Sequence, residues 1–188
     1  MNLIEDKTFQ KIDFQADSIE IAEYEICKFE YCNFEGIRLN GIKFIECNFV
    51  DCNLSLAKIE NTMFQDCTFC NCKMLGLQFS TANLFNISFS FSDCILDHCS
   101  FSGLKLNKTK FTACRMHEVD FEGTELKEAV LDNCDLQRAN FYQTNLEKAD
   151  FTTAYNFQMD PDLNRVAGAK FALQSLPSLL TKYKLRIS

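Results

Sequence analysis

Cysteine and histidine are the residue types in this sequence that could carry chemistry, and their spacing sets the first question. The chain has 11 Cys and 2 His. Cys67, Cys70 and Cys72 are close enough in sequence to form part of a metal site, because zinc sites often use thiolates two to four residues apart. The same thiols could instead form a disulfide framework. Whether the thiols bind a metal or form disulfides depends on the secondary-structure elements that position their side chains.

Length and charge narrow the class of protein before any fold is assigned. The 188 residues suffice for one domain that buries a core without cross-links. The opening segment MNLIEDKTFQ lacks the apolar stretch of a signal peptide, and no run of about 18 apolar residues would span a membrane. We therefore expect a cytoplasmic protein whose thiols stay reduced. The net charge of −7 argues against nonspecific binding to nucleic acid.

A five-residue repeat fills most of the chain and assigns most cysteines to an interior. One residue in every five is large and apolar, in two frames that run from Phe9 to Phe89 and from Leu96 to Phe151. The position two residues earlier is mostly small or apolar, and it holds ten of the eleven cysteines. A period of five fits neither a helix at 3.6 residues nor a strand at 2.0. Asn or Asp between the two apolar positions favours turns, so each quintet is interpreted as one short side of a coil.

The repeated pattern of a small residue, then Asn or Asp, then Leu or Phe resembles the motif of the pentapeptide-repeat family. The segments CNF, CNL, ANL, CDL and ADF carry it. The resemblance implies an all-β solenoid, a right-handed quadrilateral β-helix with four quintets in each coil. We expect about seven coils over residues 1–153, roughly 35 Å in length at about 4.8 Å per coil. Residues 154–188, where the repeat stops, are expected to form a C-terminal cap and dimerisation segment.

Four quintets per coil predict that residues 20 apart stack on one another. A two-residue slip between Phe89 and Leu96, near residues 90–95, joins the two frames. One column then contains six cysteines: Cys32, Cys52, Cys72, Cys94, Cys114 and Cys134. Another contains phenylalanines: Phe29, Phe49, Phe69, Phe89 and Phe111. In this register Cys67 and Cys72 point inward and Cys70 points outward, so three ligands do not converge. We therefore expect no metal and no other cofactor.

The two histidines are predicted on outward positions of one face, one coil apart. His98 and His117 lie close to Asp97 and Glu118 in this register. Catalysis needs a nucleophile, an orienting partner and a pocket, and a filled rod supplies no pocket. The sequence also lacks a Gly-rich phosphate loop and the HExxH and GxSxG motifs. We therefore interpret the histidines as surface residues and expect a protein that is not an enzyme.

Acidic residues are concentrated in the rod and not in the tail. Residues 1–151 hold 24 acidic and 14 basic residues, whereas residues 152–188 hold 2 and 5. One interpretation is a solvated surface that keeps the rod soluble. The other is electrostatic mimicry of duplex DNA, in which outward carboxylates occupy a basic groove of a partner. Five acids are predicted along one face as partner-binding residues: Asp13, Glu35, Asp97, Glu118 and Asp135.

The frame slip is a second candidate binding surface. We expect the chain to bulge there and to expose Phe85 and Phe91, with Leu75 and Ile95 nearby. Bulges often lie at contact sites, although a simple kink would produce the same pattern.

The tail is predicted to contain a short capping helix. Ser175 is expected to be its N-cap, with Pro177 in the first turn. The helix would present an apolar stripe that either packs on the chain's own cap or forms a dimer interface. The residues of this stripe are Leu176, Leu179, Leu180, Tyr183, Leu185 and Ile187.

The ending LLTKYKLRI after a pentapeptide rod resembles the C-terminus of Qnr-type proteins and of the related microcin immunity proteins. In that group the C-terminus forms a dimer contact, and the dimer imitates DNA on type II topoisomerases. The resemblance implies a homodimer that binds DNA gyrase or topoisomerase IV and protects it from a quinolone or a toxin, without binding nucleic acid or a membrane itself. Qnr-type rods carry long loops, whereas this sequence has only the two-residue insertion. The alternative is a structural scaffold that binds another protein through Phe85 and Phe91.

Overall fold

The computed structural model describes residues 1–186 and has the predicted right-handed β-helix. Parallel strands pair with an offset of 20 residues, as Phe29 does with Phe49, so four quintets form each coil. The largest sheet stacks nine strands along the axis, which gives about eight coils where seven were predicted. The predicted all-β solenoid is therefore confirmed, and the number of coils is corrected.

The additional coil forms after the sequence signature of the repeat has ended. Asp150 and Phe151 pair in parallel with Lys170 and Phe171. Tyr155 also bridges to the coil below it. The backbone ladder needs extended geometry and free N–H and C=O groups rather than particular side chains, so it continues beyond residue 153.

Two parallel sheets and two sets of isolated bridges form the four faces. Face A carries a four-stranded sheet in the order β1-β3-β5-β7. Its strands are β1 (Asn2–Glu5), β3 (Ala22–Glu25), β5 (Lys43–Ile45) and β7 (Met63–Gln65). Face B carries the other nine strands, which are β2 (Thr8–Gln10), β4 (Lys28–Glu30), β6 (Asn48–Val50), β8 (Cys67–Cys70), β9 (Phe89–Ser92), β10 (Lys110–Thr112), β11 (Val130–Asp132), β12 (Asp150–Phe151) and β13 (Lys170–Phe171).

Faces C and D are held by single parallel bridges. Face C contains the column Asp13, Asn33, Asn53, Lys73, Ile95, Arg115, Asp135 and Tyr155. Face D contains the bridges Arg38–Lys58, Gln78–Ser100, Ser100–Asp120 and Asp120–Asn140. The corners between faces use left-handed backbone, for which Gly76 (φ 68°) and Asn71 (φ 52°) are suited.

Aromatic rings fill the interior as stacked columns. The rings of Phe29 and Phe49 are 4.9 Å apart at 9°, and those of Phe49 and Phe69 are 4.9 Å apart at 15°. Rings from adjacent faces meet edge to face, as Phe44 and Phe49 do at 5.2 Å and 76°. Both arrangements are favoured by the ring quadrupole, so each coil positions the rings of the next one.

The frame slip lies earlier in the chain than the sequence pattern indicated. Met63 bridges to Asn83, an offset of 20, whereas Cys67 pairs with Phe89, an offset of 22. The two extra residues therefore lie between Asn83 and Phe89 and not at residues 90–95. Phe91, instead of Phe89, then pairs with Phe69.

Phe91 is consequently a core residue, and the prediction that it is exposed was wrong. Its side chain is 1% exposed, and its ring stacks on Phe69 and on Phe111 at 5.3 Å each. Phe89 is also buried but lies tilted by 58° against Phe91. The segment FSF offers two aromatic residues for one column, and the backbone register selects the second.

The tail adopts 3-10 geometry and not a regular α-helix. Its 3-10 segments are Pro161–Leu163, Leu173–Leu179 and Thr181–Tyr183, and one further 3-10 segment, Phe79–Thr81, lies in the rod. Ala172 precedes the first tail segment, so the prediction that Ser175 is the N-cap was wrong. The Ser175 hydroxyl lies inside the turn and donates to the Ala172 carbonyl at 2.8 Å. No helix within residues 1–186 has the length and apolar character needed to cross a bilayer.

The reassignment of Phe91 predicts a large difference between two nearby phenylalanines. Phe91→Ala should lower the free energy of unfolding by about 3–5 kcal/mol, because it removes a ring from a filled column. Phe85→Ala is the matched control, and since Phe85 is 67% exposed it should change stability by less than about 0.5 kcal/mol. Urea unfolding of both variants measures the difference. Equal losses would contradict the register.

Candidate partner-binding surfaces

Ten of the eleven cysteines lie in the interior. Cys67 and Cys72 are buried, whereas Cys70 is half-buried on face B, in register with Val50 and Ser92. Within residues 1–186 no group of three His, Cys, Asp or Glu side chains is arranged to hold a metal ion. The three thiols therefore point to opposite sides of one wall, as their register predicted.

Nine of the ten buried thiols donate a hydrogen bond to a carbonyl of the coil below, and Cys114 donates to Thr112 of its own coil instead. Cys52 Sγ donates to the Phe29 carbonyl at 3.3 Å, and the Thr62 hydroxyl makes the equivalent bond to the Leu39 carbonyl at 2.8 Å. Burial raises the pKa of Cys47 to about 12, and it raises the pKa of Cys99 to about 12 as well. A thiol that stays protonated at neutral pH is a poor nucleophile and a poor metal ligand.

Three of the five nominated acids on face C carry basic partners. The Asp97 side chain is almost buried and holds Arg115, whose Nη2 lies 2.7 Å from Oδ2. Glu118 Oε1 lies 3.3 Å from Arg138 Nη1. These pairs neutralise much of the charge that a basic partner would recognise.

The third of these acids, Asp135, is paired with a histidine. Its Oδ2 lies 2.8 Å from His117 Nε2, and Asn156 Nδ2 donates to its Oδ1 at 2.8 Å. Partial burial acts to raise the pKa of Asp135, but the hydrogen bonds from His117 and Asn156 outweigh it and hold the pKa below its usual value. His98 lies one coil lower, with Nδ1 3.6 Å from the carboxylate of Glu118. Both histidines thus contact carboxylates at the surface.

Asp13 and Glu35 are different, because only amides contact them. Asn33 Nδ2 donates to Asp13 Oδ1 at 2.9 Å, and Asn53 Nδ2 donates to Glu35 Oε2 at 2.8 Å. An amide orients a carboxylate without cancelling its charge. The structure therefore separates the nominated acids into a paired group in the C-terminal half and an unpaired group in the first coils.

The same difference holds between the first coils and the rest of the chain. Residues 1–66 contain 13 acidic and 6 basic residues, whereas residues 67–188 contain 13 of each. In the part of the chain that the structure describes, only Glu23 and Glu30 of the first thirteen acids form ion pairs. The net charge of the protein thus belongs to the first coils, which we call the acidic end, residues 1–66.

The densest group of carboxylates in the acidic end lies on one edge of face A. Its members are Glu5, Asp6, Glu25, Glu46 and Asp66. Glu5 and Glu25 are register partners on adjacent strands. The pKa of Glu25 lies above its usual value, first because the carboxyl is partly buried and then because the carboxylates of Glu23, Glu5 and Glu46 repel its charge. The sequence contained the signal for this group, since its members fall at two adjacent positions of the 20-residue register.

The loop at the frame slip exposes one of the two predicted phenylalanines. Phe85 is 67% exposed and Leu84 is 52% exposed. Leu75 and Ile95 are half-buried. The apolar surface at the slip therefore consists of Leu84 and Phe85, without Phe91.

The predicted dimer stripe is divided by the 3-10 geometry of the tail. Leu176, Tyr183 and Leu185 are exposed. Leu179 and Leu180 are half-buried, and Leu179 packs against the core. Ile187 lies outside the described residues. The exposed members share the end of the rod with Leu173, which is also exposed.

These features define the class of protein as a β-solenoid with a filled interior. The family model for the pentapeptide repeat region matches residues 22–90 and 89–151, and the chain belongs to the pentapeptide-repeat family. A search of curated proteins finds no significant match.

Solved structures share the fold at low sequence identity. A trypsin-treated variant of QnrB1, a plasmid-mediated fluoroquinolone resistance protein, matches with a TM-score of 0.64 and 17% identity over 100% of both chains. HetL, a pentapeptide-repeat protein involved in heterocyst differentiation regulation in the cyanobacterium Nostoc sp. strain PCC 7120, matches with a TM-score of 0.73 and 14% identity over 93% of this chain and 88% of its own. At these identities the likeness shows the fold alone.

The His117–Asp135 pair predicts a specific dependence of stability on pH. Because the folded-state pKa of Asp135 is lowered, its stabilisation is present above the ordinary carboxyl pKa of about 3.9 and is lost as the pH falls through the folded-state value. Asp135→Asn should therefore lower the free energy of unfolding by about 1 kcal/mol at pH 7. At a pH below the folded-state pKa of Asp135 it should lower it by almost nothing. Glu122→Gln, on an exposed and unpaired acid, is the control. Denaturant unfolding at several pH values measures the stability of both variants. The same pH dependence in both would contradict the prediction.

Proposed function

We propose that this protein is a non-enzymatic DNA mimic that binds a DNA-binding surface of a type II topoisomerase, such as DNA gyrase or topoisomerase IV. In this role it would act in the cytoplasm and protect the enzyme from a quinolone or a toxin. The observation that carries the proposal is the acidic end, which holds −7 of the rod's net charge of −10 and where, among residues 1–186, only Glu23 and Glu30 have basic partners. The fold shared with QnrB1, a fluoroquinolone resistance protein, supports the choice of partner.

The charge density of the acidic end is close to that of duplex DNA. Residues 1–66 carry a net charge of −7 over about three coils, or roughly 16 Å at about 4.8 Å per coil. That is about one net charge per 2.3 Å, against about 1.7 Å per charge along duplex DNA. A basic groove shaped for DNA would therefore meet a comparable field, whereas residues 67–151 hold 11 acidic and 8 basic residues, a net charge of only −3.

Neutralising the acidic end should weaken binding to the topoisomerase. Replacing Glu25 and Glu46 by Gln and Asp66 by Asn should reduce affinity about tenfold or more and make binding less sensitive to salt, because steering by opposite charge is lost. The control removes three charges elsewhere, by Asp93→Asn, Glu122→Gln and Glu125→Gln. Binding to purified gyrase and inhibition or drug protection of supercoiling are measured together. Wild-type protein that neither binds gyrase nor alters supercoiling would refute the function.

We also propose that the protein is a homodimer through the exposed part of the tail. Leu176, Tyr183 and Leu185 present apolar area at the end of the rod, where an isologous contact would bury it. The double variant Leu176→Asp, Leu185→Asp should halve the mass measured by light scattering. Leu56→Asp, at an exposed leucine on the side of the rod, should leave the mass unchanged. A wild-type monomer would reject the dimer.

The alternative function is a scaffold that binds another protein through Leu84 and Phe85. The observation that favours it is the exposure of both side chains on a loop that interrupts the register of face A. Phe85→Ser should then abolish capture of the partner, while Tyr142→Ser, at another exposed aromatic residue, should not. Capture by Phe85→Ser at the wild-type level would exclude this surface.

A further inference from the structure

The C-terminal end of the rod contains a slot that neither proposed contact uses. Its volume is about 960 Å³. One wall is the last coil over the consecutive residues 152–158, and the other is formed by Ala172 and the 3-10 segment that follows it. We call this the end slot. An extended chain rises about 3.3 Å per residue, so a wall of seven residues accommodates a peptide of about 23 Å.

The end slot exists because the backbone ladder stops on one face. Phe171 is the last strand residue in register with the coil below, and the chain then leaves the coil path at Ala172. It meets that coil again at Ser178, whose carbonyl accepts from the Met159 N–H at 3.4 Å. In the lower coils of this face, each coil donates a backbone hydrogen bond to the one below it. For example, the Tyr155 N–H donates to the Cys134 carbonyl at 3.0 Å. The equivalent carbonyl one coil higher, that of Ala154, has no hydrogen-bond partner among residues 1–186. The N–H groups of Thr153 and Phe157 also have none within that range.

The end slot is therefore an open strand edge, with its side-chain preferences set by the repeat. The inward residues of this face are one small and one large, Ala154 and Phe157, and both are buried. Tyr155 follows Ala154 and points outward; it is 45% exposed, and its register partner one coil below is Asp135. The exposed face of an aromatic ring favours a cation. None of the lining residues is acidic, and Arg138 already contacts Glu118.

We propose that the end slot binds an extended segment of a partner protein as one further strand. The segment has a small residue, then Lys or Arg, then a large apolar residue, so that it imitates the next quintet of the repeat. Its central N–H donates to the Ala154 carbonyl, and its basic side chain lies against Tyr155. Main-chain bonds supply affinity and the alternate side chains supply specificity, as in other cases of strand addition.

A single extended chain fits this place better than a second rod. The segment after Ala172 covers the far side of the slot, so the blunt end of another four-sided rod cannot reach the edge. The apolar side chains assigned to the dimer contact are not among the lining residues; the slot is lined instead by Gln174, Ser175, Pro177, Ser178 and Thr181 of the same segment. The proposal does not depend on topoisomerase binding, because the acidic end lies at the other end of the rod.

The test uses the full-length protein and a fluorescein-labelled peptide, Gly-Ser-Ala-Arg-Leu-Gly-Ser, in an anisotropy titration. The same peptide with an N-methyl group on its arginine keeps every side chain but loses the donor to Ala154, and should bind about tenfold more weakly or worse. A peptide with Glu in place of Arg should also lose affinity. These two controls need no variant of the protein.

A matched pair of variants locates the binding site. Ser178→Trp fills the end slot and should abolish binding, whereas Ser18→Trp, exposed near the other end of the rod, should not. Thermal melts establish that both variants fold. No binding of the parent peptide, or binding that is insensitive to N-methylation and to Ser178→Trp, would overturn the proposal. Light scattering with excess peptide tests whether a second copy of the chain occupies the end slot. If the peptide splits a dimer into monomers, a second copy fills the slot, and that result also overturns the proposal.

Discussion

The parallel backbone ladder between successive coils is the constraint on which the rest of this structure depends. It fixes an offset of 20 residues, so every side chain stands above its equivalent in the coil below. Rings then meet rings, and small thiols and hydroxyls meet a carbonyl of the preceding coil. A polar backbone that is satisfied in this way can lie in a filled interior without cost from unpaired groups.

A repeating interior leaves the outer positions to distinguish this rod from any other. Because residues 20 apart are neighbours, a charged residue lies beside a residue of like or of opposite charge, depending on the coil. In the C-terminal half, acids such as Asp97 and Glu118 meet arginines one coil above. In the acidic end they meet asparagines or other acids, as Asp13 and Glu25 do. The charge that a partner would feel is therefore set by register and not by composition.

The errors of the sequence analysis share one cause, which is that a pattern of side chains does not report where the backbone pairs. Phe89 and Phe91 satisfy the apolar pattern equally well, and only the pairing of Cys67 with Phe89 shows which ring continues the column. The tail was expected to begin its helix at Ser175, but the chain leaves the last strand at Ala172 and turns there. The eighth coil was missed because its strands no longer carry the motif, although they still form the ladder.

The order of residue types is sufficient to specify the period, the coil of four quintets, the inward direction of ten cysteines and the acidic character of the rod. These follow from local alternation of large, small and polar residues, which any 20-residue coil must bury or expose in the same way. The folded structure is needed to establish which acids keep their charge, where the two extra residues lie and where the ladder ends. Each of these depends on contacts between residues about 20 apart or more, because ion pairs, ring stacking and strand edges exist only once coils lie on one another.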